Sequence, residues 1–379
     1  MRVAIFAESS LPYLSGVTIS TDILVRGLAA AGHQVLLVAP RPADAATNDA
    51  TDVAWLASYQ MPRIVPAGYR MPWPLPSGAL RVAERFRPEV VHAQSPFVSG
   101  VMARRLARRV GAPLVFTHHT RFADYGHYLG PFARPGTAAT DAYLRRWWAG
   151  CAAIIAPSAQ LAAEIEQRLD PRRHQPLMRV VPTGIDVAAI RALPRINARR
   201  LAGWPDDVLV VASLGRLAAE KSVAELVDGF EQAAERNPRL RLLLIGGGPA
   251  GELLRHRAAA RSTMHLTGAL PRLDALSLLR GADLFAFASR TETQGLVLAE
   301  ALACGLPVVA VDGPAVAESV RDGVDGLIVA SPDELAGALV DLAASDERRG
   351  QLASAAAAGA DRFDVARRIA EVASVYREV

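Results

Sequence analysis

Residues 289–305 read SRTETQGLVLAEALACG. They lie between two short apolar runs, Asp283–Phe287 and Pro307–Ala310, each of strand length. A strand, a polar loop, an apolar helix closed by Gly305 and a second strand make a crossover of the kind that builds parallel sheet. The loop after the first strand then sits at the sheet's carboxyl edge, where open α/β folds bind ligands. The backbone N–H groups of Thr293, Gln294, Gly295 and Leu296 are expected at the helix's first turn, where they suit a phosphate. Glu292 just precedes that turn, and Glu300 follows two turns in. Eight helical residues rise ~12 Å, so the two carboxylates address opposite ends of an extended ligand rather than one atom. A carboxylate accepts two hydroxyl hydrogen bonds, which suits a hexose at Glu292 and a ribose at Glu300. The alternative is that Glu292 caps the helix and Glu300 faces solvent.

The same alternation runs outward along the chain. Strands are expected at Arg2–Ala7, Gln34–Val38, Glu89–His92, Pro113–Thr117, Ala152–Ile155 and Met178–Val181, with helices between them. A second series follows at Val208–Ser213, Arg241–Ile245, Asp283–Phe287 and Pro307–Ala310. Ile190–Pro205 (IRALPRINARRLAGWP) has two prolines and little strand character, which marks it as the interdomain linker. Tyr59–Leu75 reads as a long, proline-rich loop. Two open α/β sheets joined by a linker place a ligand in the cleft between strand carboxyl ends.

Composition supports a globular two-domain enzyme: 379 residues, 51% hydrophobic and 21% charged. No apolar run approaches the ~20 residues needed to span a bilayer. The amino terminus meets Glu8 too soon for a secretory signal, so a cytoplasmic enzyme is expected. Cys151 and Cys304 are the only cysteines, far apart and outside metal-ligand spacing. Residues 1–190 carry a net charge of +7 and residues 191–379 one of −3, which points the first half toward an anionic surface. Of the 42 basic residues 41 are Arg, and Lys221 is the only lysine. A single ammonium in an arginine background suggests a site that wants a compact, rotatable charge.

Lys221 lies in SLGRLAAEKS (residues 213–222), where a strand ends at a glycine and leaves Arg216 and Lys221 at its carboxyl edge. Arginine grips phosphate oxygens in pairs and lysine adds a mobile point charge. IGGGP (residues 245–249) is a second strand-to-glycine turn, with Gly247 at its centre, and it lacks the nicotinamide G-x-G-x-x-G fingerprint. In the first half, PYLSGV (residues 12–17) brings Tyr13 and Gly16 to the end of the first strand. His118, His119, Arg121, Asp124, Tyr125 and His127 cluster after a later strand, with His92 nearby. No cysteine or acidic spacing accompanies these histidines to make a zinc site.

TETQGLVLAEALACGLPVVA resembles the E-x(7)-E signature of retaining GT-B glycosyltransferases of family four. SLGRLAAEK is similar to that family's donor Arg/Lys segment, IGGGP to its glycine turn, VPTGID to its interdomain strand end, SSLPYLSGV to its amino-terminal glycine loop and HAQSPF to a strand end of its first domain. The resemblance implies two Rossmann-like domains facing each other across a cleft. Residues 1–190 would bind acceptor, 191–362 would bind nucleotide sugar, and the helix 363–379 would cross back to the first domain. It implies that Arg216 and Lys221 hold the donor pyrophosphate, Glu300 the ribose and Glu292 the transferred sugar. Thr293, Gln294, Gly295 and Leu296 would add backbone contacts, with Gly16 and Gly247 also on the donor side. His119 would lie near the reacting sugar carbon, making His119, Glu292, Arg216 and Lys221 the catalytic set. Tyr13, Arg121, Asp124, Tyr125 and His127 would line the acceptor side. The resemblance implies no cofactor and no metal, the nucleotide-diphosphate sugar being a substrate.

HHTRFADYGHYLG with TETQG further resembles bacterial enzymes that glycosylate diacylglycerol, which implies UDP-glucose or a similar donor and a membrane lipid acceptor. Arg104-Arg105-x-x-Arg108-Arg109, Arg145-Arg146-Trp147-Trp148 and Met71-Pro72-Trp73 then read as a peripheral grip on an anionic membrane's inner face, with ordinary solvated helix faces as the alternative. No nucleic-acid partner is implied. Two other readings stand beside this one: a GDP-mannose-dependent mannosyltransferase acting on a phosphoinositide or soluble glycan, and a nucleotide-binding GT-B protein without turnover.

Overall fold

The computed structural model describes residues 1–13, 15–42, 52–60, 69–73, 78–121 and 133–379. They form two compact units, Met1–Gly184 with Val365–Val379, and Ile185–Asp364. In the first unit the strands are β1 (Arg2–Phe6), β2 (Gln34–Pro40), β3 (Asp52–Leu56), β4 (Ser58–Gln60), β5 (Arg70–Pro72), β6 (Val90–Ala93), β7 (Leu114–Thr117), β8 (Ala153–Ala156) and β9 (Leu177–Val180). Its helices are α1 (Gly16–Ala30), α2 (Gly78–Phe86), α3 (Val98–Val110), α4 (Ala133–Trp148) and α5 (Ala159–Glu166). Seven of these strands make one parallel sheet in the order β3-β2-β1-β6-β7-β8-β9. β4 and β5 pair antiparallel, Ser58 opposite Pro72. The stretch expected as a proline-rich loop therefore carries a short hairpin, because Tyr59 and Trp73 pack edge-on at 5.2 Å and give it a local apolar contact.

The second unit begins with α6 (Val187–Ala192) and α7 (Ala198–Ala202). It continues through β10 (Leu209–Leu214), a 3-10 turn at Ala219–Lys221, α8 (Val223–Arg236), β11 (Leu240–Ile245), α9 (Gly251–Ala259), β12 (Met264–Leu266) and α10 (Arg272–Leu279). Then come β13 (Leu284–Phe287), α11 (Leu296–Ala303), β14 (Val308–Val311), α12 (Pro314–Ser319), β15 (Gly326–Val329), α13 (Pro332–Ala344) and α14 (Asp346–Gly359). Its six parallel strands run β12-β11-β10-β13-β14-β15. Every residue of β13 and β14 is buried, as a sheet with helices on both faces requires. The period of two sorts them. Val210, Phe285, Phe287 and Val308 face one core with Leu276, Leu298 and Leu302 of α10 and α11. Val211, Leu284, Ala286 and Val309 face another with Phe230 and Leu335.

Two boundaries differ from expectation. The break falls at Gly184/Ile185 rather than 190/191, and Ile190–Pro205 is not a free linker. Ile190 and Ala198 enter the second unit's core. Ile196 N donates to Ser277 O at 3.0 Å, and Trp204 Nε1 donates to Ser262 O at 2.9 Å. The prolines end short helices there without preventing burial.

The chain's last helix, α15 (Val365–Glu378), belongs to the first unit. Ile369, Val372 and Val375 pack with Leu24 and Leu28 of α1 beneath the sheet, burial worth roughly 1.5–3 kcal/mol for each such side chain. Tyr376 closes the contact, its hydroxyl 2.6 Å from His92 Nδ1.

Candidate functional site

In the second unit the strand order changes direction at β10, which pairs with β11 on one side and β13 on the other. Ligands of open α/β sheets bind outside the carboxyl ends of strands at such a switch point. The loops that leave β10 and β13 carry Arg216, Lys221 and Glu292. They are tied together, since Thr291 Oγ1 donates to Glu220 O at 2.7 Å. Lys221 Nζ donates to Glu292 Oε1 at 2.7 Å, with both side chains about one-quarter exposed. The only lysine is thus paired with the expected sugar carboxylate, although 71 residues separate them. Arg216 is more open and meets Glu220 at a long 3.4 Å.

The glycine turn after β11 packs on the same loop. Leu217 N donates to Gly247 O at 3.0 Å, and Ala250 N to Leu217 O at 2.9 Å. Gly246 has φ +140, and a Cβ there would lie 1.9 Å from Gly215 O. Close approach of two backbones by itself accounts for that glycine.

α11 begins at Leu296, with Gly295 as its N-cap at φ +68. Thr293, Gln294 and Gly295 therefore precede the helix, and Leu296 opens it. Glu292 lies outside the helix too, so helical rise does not set its separation from Glu300. Neither solvated alternative holds. The N-cap is Gly295, which has no side chain, while Glu292 Oε1 accepts from Lys221, and Glu300 is 2% exposed. Glu300 Oε1 instead forms an ion pair with Arg272, the first residue of α10. Burial raises the Glu300 carboxyl above its ordinary range, and Arg272 opposes that rise.

In the first unit the corresponding switch lies at β1, between β2 and β6. Gly16 opens α1 behind its cap Ser15, whose Oγ accepts from Thr18 N at 3.1 Å, and the space where a Cβ would sit is empty. Tyr13 packs edge-on against Tyr69 at 5.2 Å. His119 Nε2 and Gln94 Oε1 are 2.7 Å apart. With the amide oxygen as acceptor, Nε2 carries the proton. His119 keeps part of its surface open, yet the mass around it lowers its pKa to about 4. Arg121 forms an ion pair with Glu164 of α5. Asp124, Tyr125 and His127 lie outside the described residues.

His92 and His118 are core groups. His92 bonds Tyr376 through Nδ1 and Thr117 Oγ1 through Nε2 at 2.7 Å. His118 packs between Phe116 and Trp148. Burial lowers both to about 3. Trp147 and Trp148 are each 1% exposed, and Arg104 lies over the Trp147 ring at 4.0 Å. The expected basic-aromatic grip at residues 145–148 is corrected accordingly: its tryptophans belong to the core. Arg105, Arg108 and Arg109 of α3 do face outward, as do Arg145, Arg146 and Trp73. Among the described residues no helix is long and apolar enough to cross a membrane.

Three further residues, Gln94, Glu8 and Arg272, join the groups expected at the two sites. Gln94 stands inside the HAQSPF motif and was legible as a strand end. Glu8 accepts from Ser99 N at 3.0 Å and Ser99 Oγ at 2.6 Å, while its Oε1 is buried without a partner. Arg272 gave no signal, because its partner lies 28 residues away on another helix.

Residues 14–189 match the family described as Glycosyltransferase Family 4, and residues 195–358 match Glycosyl transferases group 1. The chain is 30% identical over 335 residues to the GDP-mannose-dependent alpha-mannosyltransferase of Mycolicibacterium smegmatis, covering 87% of this chain and 84% of that protein. The chain belongs to the family 4 glycosyltransferases. It is also 27% identical over 366 residues to the alpha-monoglucosyldiacylglycerol synthase of Acholeplasma laidlawii, covering 93% of this chain and 90% of that one. Among solved structures it resembles the sucrose-phosphate synthase of Thermosynechococcus elongatus (TM-score 0.77, 18% identity, covering 100% of this chain and 98% of that one). It likewise resembles Anabaena HepE in complex with UDP and glucose (TM-score 0.76, 19% identity, 100% of both chains). These likenesses establish the GT-B fold of this glycosyltransferase.

Proposed function

We propose that this glycosyltransferase moves a hexose from a UDP-sugar to a diacylglycerol-type lipid at an anionic membrane surface, with retention of anomeric configuration and without a metal. The observation that carries the donor half is the 2.7 Å contact of Lys221 with Glu292 beside Arg216, at the switch point of the second sheet. It sets a phosphate-seeking cation next to a hydroxyl-seeking carboxylate, the order in which pyrophosphate and sugar follow one another in the donor. Arg216 and Lys221 supply positive charge where negative charge builds on the departing diphosphate. Retention then proceeds by front-face displacement, with a leaving phosphate oxygen taking the acceptor's proton. Glu300 binds the ribose, and burial keeps His119 neutral at neutral pH.

The similarity to an alpha-monoglucosyldiacylglycerol synthase, over 93% of this chain and 90% of that one, supports the acceptor half. So does α3, where Phe97 and Val101 are 41% and 54% exposed on the outward row that continues through Arg105 and Arg108. The 30% identity with a GDP-mannose-dependent enzyme favours a second reading, with guanine in place of uracil. A thermal-shift panel of UDP, GDP and ADP separates the two, because only the matching base stabilises strongly. Sugar transfer from UDP-glucose to diacylglycerol in anionic liposomes, unaffected by EDTA, is the expected result. Transfer to a soluble acceptor but none to lipid refutes the acceptor assignment.

A further inference from the structure

Glu300 lies among apolar neighbours on α11, with Leu298, Ala299, Ala301 and Leu302 all in the surrounding core. A carboxylate there loses its water and keeps its charge only beside a cation. Among the described residues Arg272 is its only ion-pair partner. α10 and α11 cover the same face of the sheet, and Arg272 projects from the first turn of α10, itself 30% exposed. Its guanidinium forms the ion pair at Oε1, a buried oxygen that has no well-aligned hydrogen bond. Cys304, one turn further along α11, is a poor substitute. Its thiol is pushed up to about 12 by burial and by Glu300, with Arg280 and Arg195 facing it from elsewhere.

We propose that Arg272 is a positioning residue for the donor's ribose, holding Glu300 by one oxygen so that the other accepts the ribose hydroxyls. This rests on the assignment of Glu300 to the ribose. A neutral Glu300 carries one hydroxyl proton of its own and loses half its capacity to accept a diol. Without Arg272 nothing opposes the burial that raises the carboxyl, so the neutral form spreads toward neutral pH.

The test compares UDP with 2′-deoxy-UDP (or the guanine pair, where the nucleotide panel selects GDP) on the full chain. Wild type is expected to prefer the ribonucleotide about tenfold, the worth of one good charge-assisted hydrogen bond. In Arg272→Gln that preference falls to near unity, KM for the donor rises about tenfold or more, and kcat changes less. The loss deepens as pH falls, and Arg272→Lys restores most of the preference. A purely structural arginine alters stability and leaves the ribose preference unmoved. An Arg272→Gln variant with wild-type preference and pH profile overturns the proposal, provided Glu300→Ala abolishes the preference. A Glu300→Ala variant that keeps the preference overturns the ribose assignment itself, and the proposal with it.

Discussion

Replacing Lys221 by Met removes the cation that lies 2.7 Å from Glu292. Two effects of different size follow. The pair is about one-quarter exposed on each side, so its loss to stability is that of a partly solvated ion pair, about 0.5–1 kcal/mol. For a chain with units of this size that lowers Tm by only about 1–4 °C. If Lys221 meets the leaving diphosphate, its removal takes away a preorganised donor aimed at developing charge. Such donors contribute about 3–4 kcal/mol to the transition state, or ~10²–10³-fold in kcat. Lys221→Arg keeps the charge but brings a planar fork into a space fitted to an ammonium, and an intermediate loss is expected. Initial rates at saturating UDP-sugar, paired with thermal melts, separate the two effects. The double variant Lys221→Met/Glu292→Gln adds a check. If the lysine acts only by orienting Glu292, the double variant is no slower than Glu292→Gln alone. A Lys221→Met enzyme with kcat within about threefold of wild type refutes the phosphate role and leaves the lone lysine an ordinary ion pair.

Acid should destabilise the first unit in a defined window. His92 and His118 titrate at about 3 and His119 at about 4 when folded, against an unfolded value near 6.5. Depressed histidines contribute stability in full above ~6.5, and it is lost as pH falls through the folded values, about 3 kcal/mol per histidine by pH 4. Melting curves between pH 7 and 4 should show a steep fall in Tm, and a flat profile contradicts the buried neutral assignment. Gly246→Ala should cost about 2–5 kcal/mol, from a strained φ and a Cβ driven against Gly215 O. Denaturant titration reads this directly, and a variant within 0.5 kcal/mol of wild type (about the scatter of a neutral surface change) would mean that the turn relaxes.

Local pattern made much of the architecture legible. Short apolar runs with helical stretches between them mark parallel strands because side chains on both faces of such a strand must be buried. The runs at Asp283–Phe287 and Pro307–Ala310 became β13 and β14, and loops bearing Arg216, Lys221 and Glu292 fell at strand ends for the same reason. Ile190–Pro205 misled because prolines signal a break in local conformation and say nothing about burial, which Ile190 and Ala198 acquire from distant partners. Trp147 and Trp148 misled likewise. Beside two arginines they suit a membrane edge, yet α4 turns both inward.

What the chain's order of residues determined by itself was the alternation of elements, the family, and which loops carry chemistry, since each depends on neighbours within a few residues. Tertiary structure alone decided the pairings. It joined Lys221 to Glu292 across 71 residues, Gln94 to His119 across 25 and His92 to Tyr376 across 284. It also set aside the alternative of a solvent-facing Glu300, burying that carboxylate beside Arg272. Desolvation and ion pairing depend on what the fold brings within a few ångströms, and no spacing along the chain encodes that distance.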